Sequence, residues 1–230
     1  RLAVKNKKTN QTTTTTVALK EFSSQEGRDS EYFTDYNGTY YYILTTYGRM
    51  NSNSRILVYT FNPDTLRTTF KFELSSDYSG TATTDGKMLY MTGYPSHSDQ
   101  LQLLSLDLET EEPKTIDLNL NIYPNQLIVK NNKLYLISDS GIYTYDASIS
   151  STEVITPSFT EELNQYDYFW IEQTIAHDNK LYILYIAYKQ SHSTQYLSIL
   201  DTNTNKIKFE GKIAVRSDQG LIDNYTLIAR

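Results

Sequence analysis

An all-β fold built from four-stranded antiparallel sheets is predicted by three observations. Tyr, Thr, Ile and Val crowd into short runs, with 21 Tyr and 8 Phe in a chain of 230 residues. Asn, Asp, Gly and Ser separate the runs, and β-branched and aromatic runs between turn formers are the pattern of strands. One strand-turn-strand design recurs at intervals of about 45 residues, the length of a four-stranded β-propeller blade. No apolar periodicity supports a helix longer than about two turns, and the best candidate is the short stretch "FTEELNQ", 159–165. A blade of this kind cannot bury both faces alone and must stack on its neighbours.

The first two strands of each unit flank a two-residue turn. The stretches are "NGTYYYILTT" (37–46), "DGKMLYMTG" (85–93), "NNKLYLIS" (131–138) and "DNKLYILYI" (178–186). Asn-Gly, Asp-Gly and Asn-Asn tolerate the positive φ that tight hairpins require. A tyrosine follows each turn. With Tyr42, Tyr90, Tyr135 and Tyr182 as equivalents, the spacings are 90−42=48, 135−90=45 and 182−135=47. These rings are expected to pack between blades, with each hydroxyl reaching a neighbouring carbonyl or water.

The third strands are "RILVYTFN" (55–62), "LQLLSLD" (101–107), "GIYTYD" (141–146) and "QYLSILD" (195–201). Three of them end on Asp (Asp107, Asp146, Asp201), which is expected to hydrogen-bond the turn that follows. The fourth strands are "RTTFKFEL" (67–74), "KTIDLNL" (114–120), "TEVITPSF" (152–159) and "NKIKFEGKI" (205–213). The whole chain is read as one propeller domain with repeats near 23–74, 75–120, 121–159 and 166–213. The C-terminal "NYTLIAR" (224–230) matches "NQLIVK" (125–130), so a fifth unit begins there. Residues 214–230 together with 12–22 are expected to close a five-bladed ring, which would leave no exposed sheet edge. The alternative is part of a six- to eight-bladed ring. Residues 1–11 are read as a tether from a removed N-terminal anchor, and the Thr-rich run 12–16 as tether or outer strand.

The unit "QYLSILDTNTNKIKFEGKI" (195–213), with "NKLYLI" (132–137) as an inner strand, resembles the repeat of the YncE-like, or YVTN, propellers of bacterial surface and periplasmic proteins. The resemblance covers about 37–213, without the "YVTN" tetrad itself. It implies an extracytoplasmic repeat scaffold and carries no catalytic residue. "SDSGIYT" (138–144) is similar to the Asp-box of sialidase-type propellers with Thr144 one place late, and Asp139 is read as a turn residue.

Charge and composition narrow the function. There are 21 basic and 27 acidic residues, net −6, with no dense Lys/Arg stripe, which argues against nucleic acid because phosphate neutralisation needs clustered cations. The chain has no cysteine, so disulfides and thiolate metal sites are excluded. No apolar run reaches the roughly 20 residues that span a bilayer. Membrane attachment is expected only through the removed anchor. A composition rich in Asn, Lys, Ile, Tyr and Thr suits the AT-rich genome of a Gram-positive bacterium, and a cell-surface lipoprotein fits it.

The loops between second and third strands are longer and chemically richer than the first turns: 46–54, 93–100, 138–140 and 188–194. Such loops commonly carry binding. Tyr47, Arg49, Tyr94, His97, Tyr188 and His192 are therefore the candidate binding residues, since Tyr and Arg anchor recognition surfaces. His97 and His192 share the context "SHS" but lack a third ligand, so no metal is assigned. Glu172, in "FWIEQTIAH" on an inner strand, is the one acid to test as a channel carboxylate, with Asp35 and Asp223 weaker. The aromatic stretches "SEYFTDYNGTYYY" and "NQYDYFW" are read first as blade packing and second as a carbohydrate platform. No phosphate loop, nucleophile elbow, EF-hand or HExxH occurs, and no cofactor is implied. The expected function is a non-enzymatic binding module outside the cytoplasm, with a protein or cell-envelope glycan as partner. The alternatives are a glycan-active enzyme and a structural spacer. Oligomeric state is not legible.

Overall fold

The computed structural model describes residues 2–5, 10, 12–15, 26–48, 55–75, 81–94, 100–146, 151–189 and 192–213. Eighteen strands and one short helix are found among these residues. The chain divides into two compact units, Arg1–Asn119 and Leu120–Arg230.

In the first unit, β1 (Leu2–Lys5) and β2 (Thr12–Thr15) form a two-stranded hairpin. Thr12–Thr15 of the Thr-rich run are thus a strand, and their partner lies in the stretch read as a tether. Residues 214–230, proposed to close the ring, lie outside the described residues. The first four-stranded sheet runs β3 (Glu26–Tyr36), β4 (Thr39–Gly48), β5 (Arg55–Asn62) and β6 (Arg67–Ser75), each strand paired antiparallel with the next. The second runs β7 (Ala82–Thr84), β8 (Met88–Gly93), β9 (Leu101–Asp107) and β10 (Pro113–Leu120) in the same meander order. The second unit repeats the pattern. Its third sheet is β11 (Gln126–Lys130), β12 (Lys133–Ser138), β13 (Gly141–Asp146) and β14 (Ser151–Ile155). After α1 (Thr160–Leu163) comes the fourth sheet: β15 (Tyr168–His177), β16 (Lys180–Lys189), β17 (His192–Asp201) and β18 (Lys206–Lys212). Each four-stranded meander is a propeller blade. Strand β14 stops four residues short of the expected end, because Pro157 offers no N–H to the ladder and α1 follows.

Turn chemistry fixes the hairpins. Asn37 and Gly38 both take positive φ (50° and 75°), as do Asn131 and Asn132 (52° and 59°). At the second sheet only Gly86 does (φ 100°), while Asp85 Oδ1 accepts the N–H groups of Lys87 and Met88 at 3.0 and 2.7 Å. A Cβ on Gly86 would stand 2.9 Å from the Asp35 carbonyl oxygen, so the two sheets approach too closely there for a side chain. Two of the three expected aspartate turns are present, and the residues after Asp146 lie outside the described residues. Asp107 Oδ1 accepts from Glu109 and Thr110 N–H at 2.8 and 3.2 Å, and Asp201 Oδ1 from Asn203 and Thr204 N–H, both at 3.0 Å. Asn62 does the same in the first sheet. Each turn then ends on a left-handed residue, Leu66 (φ 55°), Glu111 (63°) or Asn205 (53°).

Within each unit two sheets bury one core between them. In the first, Tyr41, Ile43, Ile56 and Val58 meet Leu89, Met91, Leu104, Leu106 and Leu108. In the second, Tyr135, Ile137 and Ile142 meet Leu181, Ile183, Tyr185 and Leu200. This corrects the tyrosine alignment. Tyr41, not Tyr42, occupies the place of Tyr135, facing the following sheet. Tyr42 turns to the opposite face, where Phe33, Tyr42, Tyr59 and Phe70 put one ring on each strand at centroid spacings of 4.7, 6.0 and 5.7 Å. Tyr41 donates to the Leu108 carbonyl (3.4 Å), and the Tyr135 hydroxyl lies 3.1 Å from the Thr202 carbonyl. Tyr90 instead turns its hydroxyl to Asp85 of its own sheet at 3.5 Å.

Candidate functional site

Strand alternation assembles an aromatic surface on the fourth sheet. Side chains two apart on a strand share a face. Phe169 and Ile171 therefore go to the core, where Ile171 is buried and Phe169 packs against the cluster. Tyr168 and Trp170 go to the other face. Tyr188, near the end of β16, is the register partner of Tyr168, so its ring falls beside them. The three rings are nearly parallel. Tyr168 and Trp170 have centroids 5.9 Å apart at 4°, Tyr168 and Tyr188 5.2 Å at 14°, and Trp170 and Tyr188 5.0 Å at 13°. Tyr168 is 54% exposed, and Trp170 and Tyr188 are partly exposed. The Asp167 N–H donates to the Tyr188 carbonyl at 2.8 Å, extending the β15–β16 pairing by one residue at this end.

Glu172 completes the surface. It is the extra residue of a β-bulge, since Ile171 pairs with Tyr185 and Gln173 with Leu184. A bulged residue is released from the ladder and can be re-aimed. Its Oε2 accepts the Trp170 indole N–H at 2.8 Å, which holds the indole plane in line with the two phenols. The inner-strand acid singled out in the sequence therefore joins Tyr188, through Trp170, in one cluster.

The other candidates are distributed differently. Tyr47 is the penultimate residue of β4, paired with Gly27, and Tyr94 directly follows β8. Arg49, His97 and Asp223 lie outside the described residues. Asp35 sits near the end of β3 opposite Tyr40. His192 is the first residue of β17 and pairs with Lys189, so only residues 190 and 191 separate the strands. Of the long fourth loop expected over 188–194, residues 188–189 and 192–194 are strand, because the ladder continues through Tyr188–Ser193 and Lys189–His192, and residues 190 and 191 lie outside the described residues. Asp139 lies in the β12–β13 turn and accepts from Asn125 Nδ2 at 3.3 Å; burial raises its carboxyl above the ordinary value against that bond. Among the described residues no group of three or more His, Cys, Asp or Glu could hold a metal ion.

A second polar cluster ties the α1 connection to the sheet. Tyr196 donates to Glu162 Oε1 at 2.6 Å, Tyr166 and Tyr196 hydroxyls are 3.0 Å apart, and Lys212 Nζ stands 5.8 Å above the Tyr196 ring. Burial, then the bonds to Glu162 and Tyr166, push the Tyr196 phenol up. Burial acts the same way on Tyr166, but hydrogen bonds with Thr194 and Tyr196 and the Lys212 charge outweigh it and hold its phenol below the ordinary value. Tyr196 is only 1% exposed, so its ring braces the α1 connection against the sheet.

The sequence pointed to Tyr188 and Glu172 but assigned Tyr168 and Trp170 first to blade packing. The signal for them was the Tyr-x-Trp-x-Glu alternation over 168–172.

No protein-family model matches the chain, and no curated protein matches it. Solved structures do match it. Hydrazine synthase from Kuenenia stuttgartiensis aligns with a TM-score of 0.51 and 13% identity, over 85% of this chain and 53% of that one. A prolyl endopeptidase structure aligns at 0.50 and 12%, over 80% of this chain and 26% of that one. The β-propeller domain of the Trilobed protease from Pyrococcus furiosus aligns at 0.47 and 13%, over 84% and 58%. At such identities the likeness is one of fold, and this chain spans little more than half of these proteins at most.

Proposed function

We propose that the chain is a non-catalytic binding module that works outside the cytoplasm through the hairpin end of its fourth sheet. The observation that carries this reading is the exposed, near-parallel arrangement of Tyr168, Trp170 and Tyr188. Aromatic side chains left at the surface in a fixed array are typical recognition anchors, because they offer large contact area with little rotamer entropy to lose. The location rests on the repeat resemblance, and the partner class is protein or cell-envelope glycan. A glycan hydrolase would pair two carboxylates about 5–10 Å apart across the scissile bond. Glu172 is instead engaged with the indole of the array.

The test is retention of cell-envelope material by immobilised protein. Wild type and a Tyr47→Ala, Tyr94→Ala variant should retain the same component, and a Tyr168→Ala, Tyr188→Ala variant should lose it. Equal retention by all three would remove the fourth sheet as the site.

A further inference from the structure

We infer that the open ring face of Tyr168, in the stack it forms with Trp170 and Tyr188, receives an arginine side chain of a protein partner, with the Glu172 carboxylate supplying the opposite charge. This rests on the binding-module reading and names the partner's chemistry.

The ring spacings leave that face free. Aromatic rings in contact stack about 3.5 Å apart, so a ring sandwiched between two others would hold them about 7 Å apart. The largest of the three centroid spacings is 5.9 Å. No ring is therefore sandwiched, and each keeps one face that the other two do not cover. Tyr168 is 54% exposed, so its free face meets solvent. Strand β15 stands at the edge of its sheet, and no strand of that sheet lies beyond it. One flat side chain can thus add a further layer to the stack.

Charge selects the group that fits. An aromatic face carries negative charge density and attracts a cation. Glu172 rises from the same edge strand, two residues beyond Trp170. It is exposed, and among the described residues it forms no ion pair. The bond from the Trp170 indole N–H holds its carboxylate beside the rings. A carboxylate has about four lone-pair sites, so acceptor capacity remains for a ligand. Guanidinium is planar, weakly hydrated and carries its N–H donors in its own plane, so it stacks by its face and donates by its edge. The lysine ammonium is a compact, strongly hydrated point with no face to stack. A quaternary ammonium has no N–H for Glu172 and favours rings set around it as a cage. A nucleic acid base stacks well but brings phosphates, which Glu172 and a net charge of −6 oppose. The same net charge draws a basic partner toward the chain.

The chain contains one tryptophan, and it lies in the stack, so its emission reads the site. Full-length protein is titrated with a capped glycine peptide bearing two arginines, and with peptides carrying lysine, citrulline or phenylalanine in their place. Citrulline keeps the flat group and drops the charge, whereas lysine keeps the charge and drops the flat group. A saturable change in Trp170 emission is expected with the arginine peptide, at least about fivefold tighter than with lysine or citrulline, and weakened by added salt. Tyr168→Ala should weaken arginine binding about fivefold or more. Tyr168 is largely exposed, so this variant should keep its circular dichroism spectrum. Glu172→Gln should lower the affinity for the arginine peptide and leave that for citrulline unchanged, a difference that loss of fold would not produce. The inference is overturned by no saturable response to the arginine peptide, by lysine, citrulline or phenylalanine binding as tightly, or by undiminished affinity in Tyr168→Ala. If an envelope component is retained through Tyr168 and Tyr188 but the arginine peptide does not displace it, the binding module stands and the partner's chemistry falls. If no component depends on those two rings, the module reading falls as well.

Discussion

The hydroxyl of Tyr135 lies 3.1 Å from the carbonyl oxygen of Thr202, 67 residues away, and Tyr41 reaches Leu108 across the same separation of 67 residues. In each unit a tyrosine of the first sheet's second strand meets the residue just after the turn-forming aspartate of the next sheet. Asn131 adds bonds to Thr202 Oγ1 (2.9 Å) and Asn203 Oδ1 (3.0 Å) at the same seam. Hydrophobic burial brings the two sheets together, and these polar contacts fix how they slide.

The Tyr135 ring is fully buried. Tyr135→Phe should cost about 1 kcal/mol, because the Thr202 carbonyl loses a donor. Tyr135→Ala should cost about 3–5 kcal/mol, as large aromatic truncations do. Urea denaturation monitored by circular dichroism checks both. An unchanged midpoint for Tyr135→Phe would show that the hydrogen bond carries no stability.

Tyr185 offers the opposite case. Its ring packs edge-on against Phe159 at 5.2 Å, but its buried hydroxyl has no hydrogen-bond partner among the described residues. Burial, then the Asp139 and Glu210 charges, raise its phenol well above the ordinary value. Tyr185→Phe removes an unsatisfied polar group and keeps the packing, so stability should hold or rise by up to about 1 kcal/mol. A loss of that size in the same denaturation experiment would mean that the hydroxyl is bonded in solution.

Leu66 holds a left-handed conformation at φ 55°, in the place that Asn205 fills in the fourth sheet. For a branched side chain that backbone is costly, and Asn adopts it more readily. Leu66→Asn is expected to stabilise by about 1 kcal/mol, read as a higher thermal midpoint. Destabilisation would show that the leucine's burial outweighs its strain.

Alkaline pH should unfold the chain in a defined window. Burial first, then nearby carboxylates, push the phenols of Tyr42, Tyr90 and Tyr135 to about 12. In the unfolded chain they ionise near 10. The folded state therefore holds protons that the unfolded state gives up, and stability falls as pH rises. The contribution is complete below about pH 10 and lost between about 10 and 12. Phenolate absorbance should develop in two stages, the second coincident with loss of the circular dichroism signal. A single stage completed with the fold intact would contradict this.

Much of the fold was legible because its turns are chemically explicit. Asn-Gly, Asn-Asn and strand-ending Asp located hairpins within a residue or two, since positive φ and side-chain-to-backbone bonds are local properties. The phase of the first repeat was not local. Tyr40, Tyr41 and Tyr42 are equally good matches to one tyrosine, and only the packing of the neighbouring sheet shows that Tyr41 is the counterpart. The cluster of stacked rings was half legible. Alternation places Tyr168 with Trp170, but the arrival of Tyr188 depends on cross-strand register, which the bulge at Glu172 sets. The separate register of β16 with β17 turned residues 188–189 and 192–194 of the expected fourth loop into strand.

That bulge has an evolutionary side. Every other residue of β15 is bound to a partner across the ladder, and inserting or deleting one would send its neighbours to the wrong face. Glu172 has no place in the count. It can be exchanged for a shorter, longer or neutral side chain, or dropped altogether, while the rings before it and the strand after it keep their sides. A lineage under pressure to accept a new partner could rewrite this one position, giving up the bond that orients the Trp170 indole, and inherit the strand pairing unchanged.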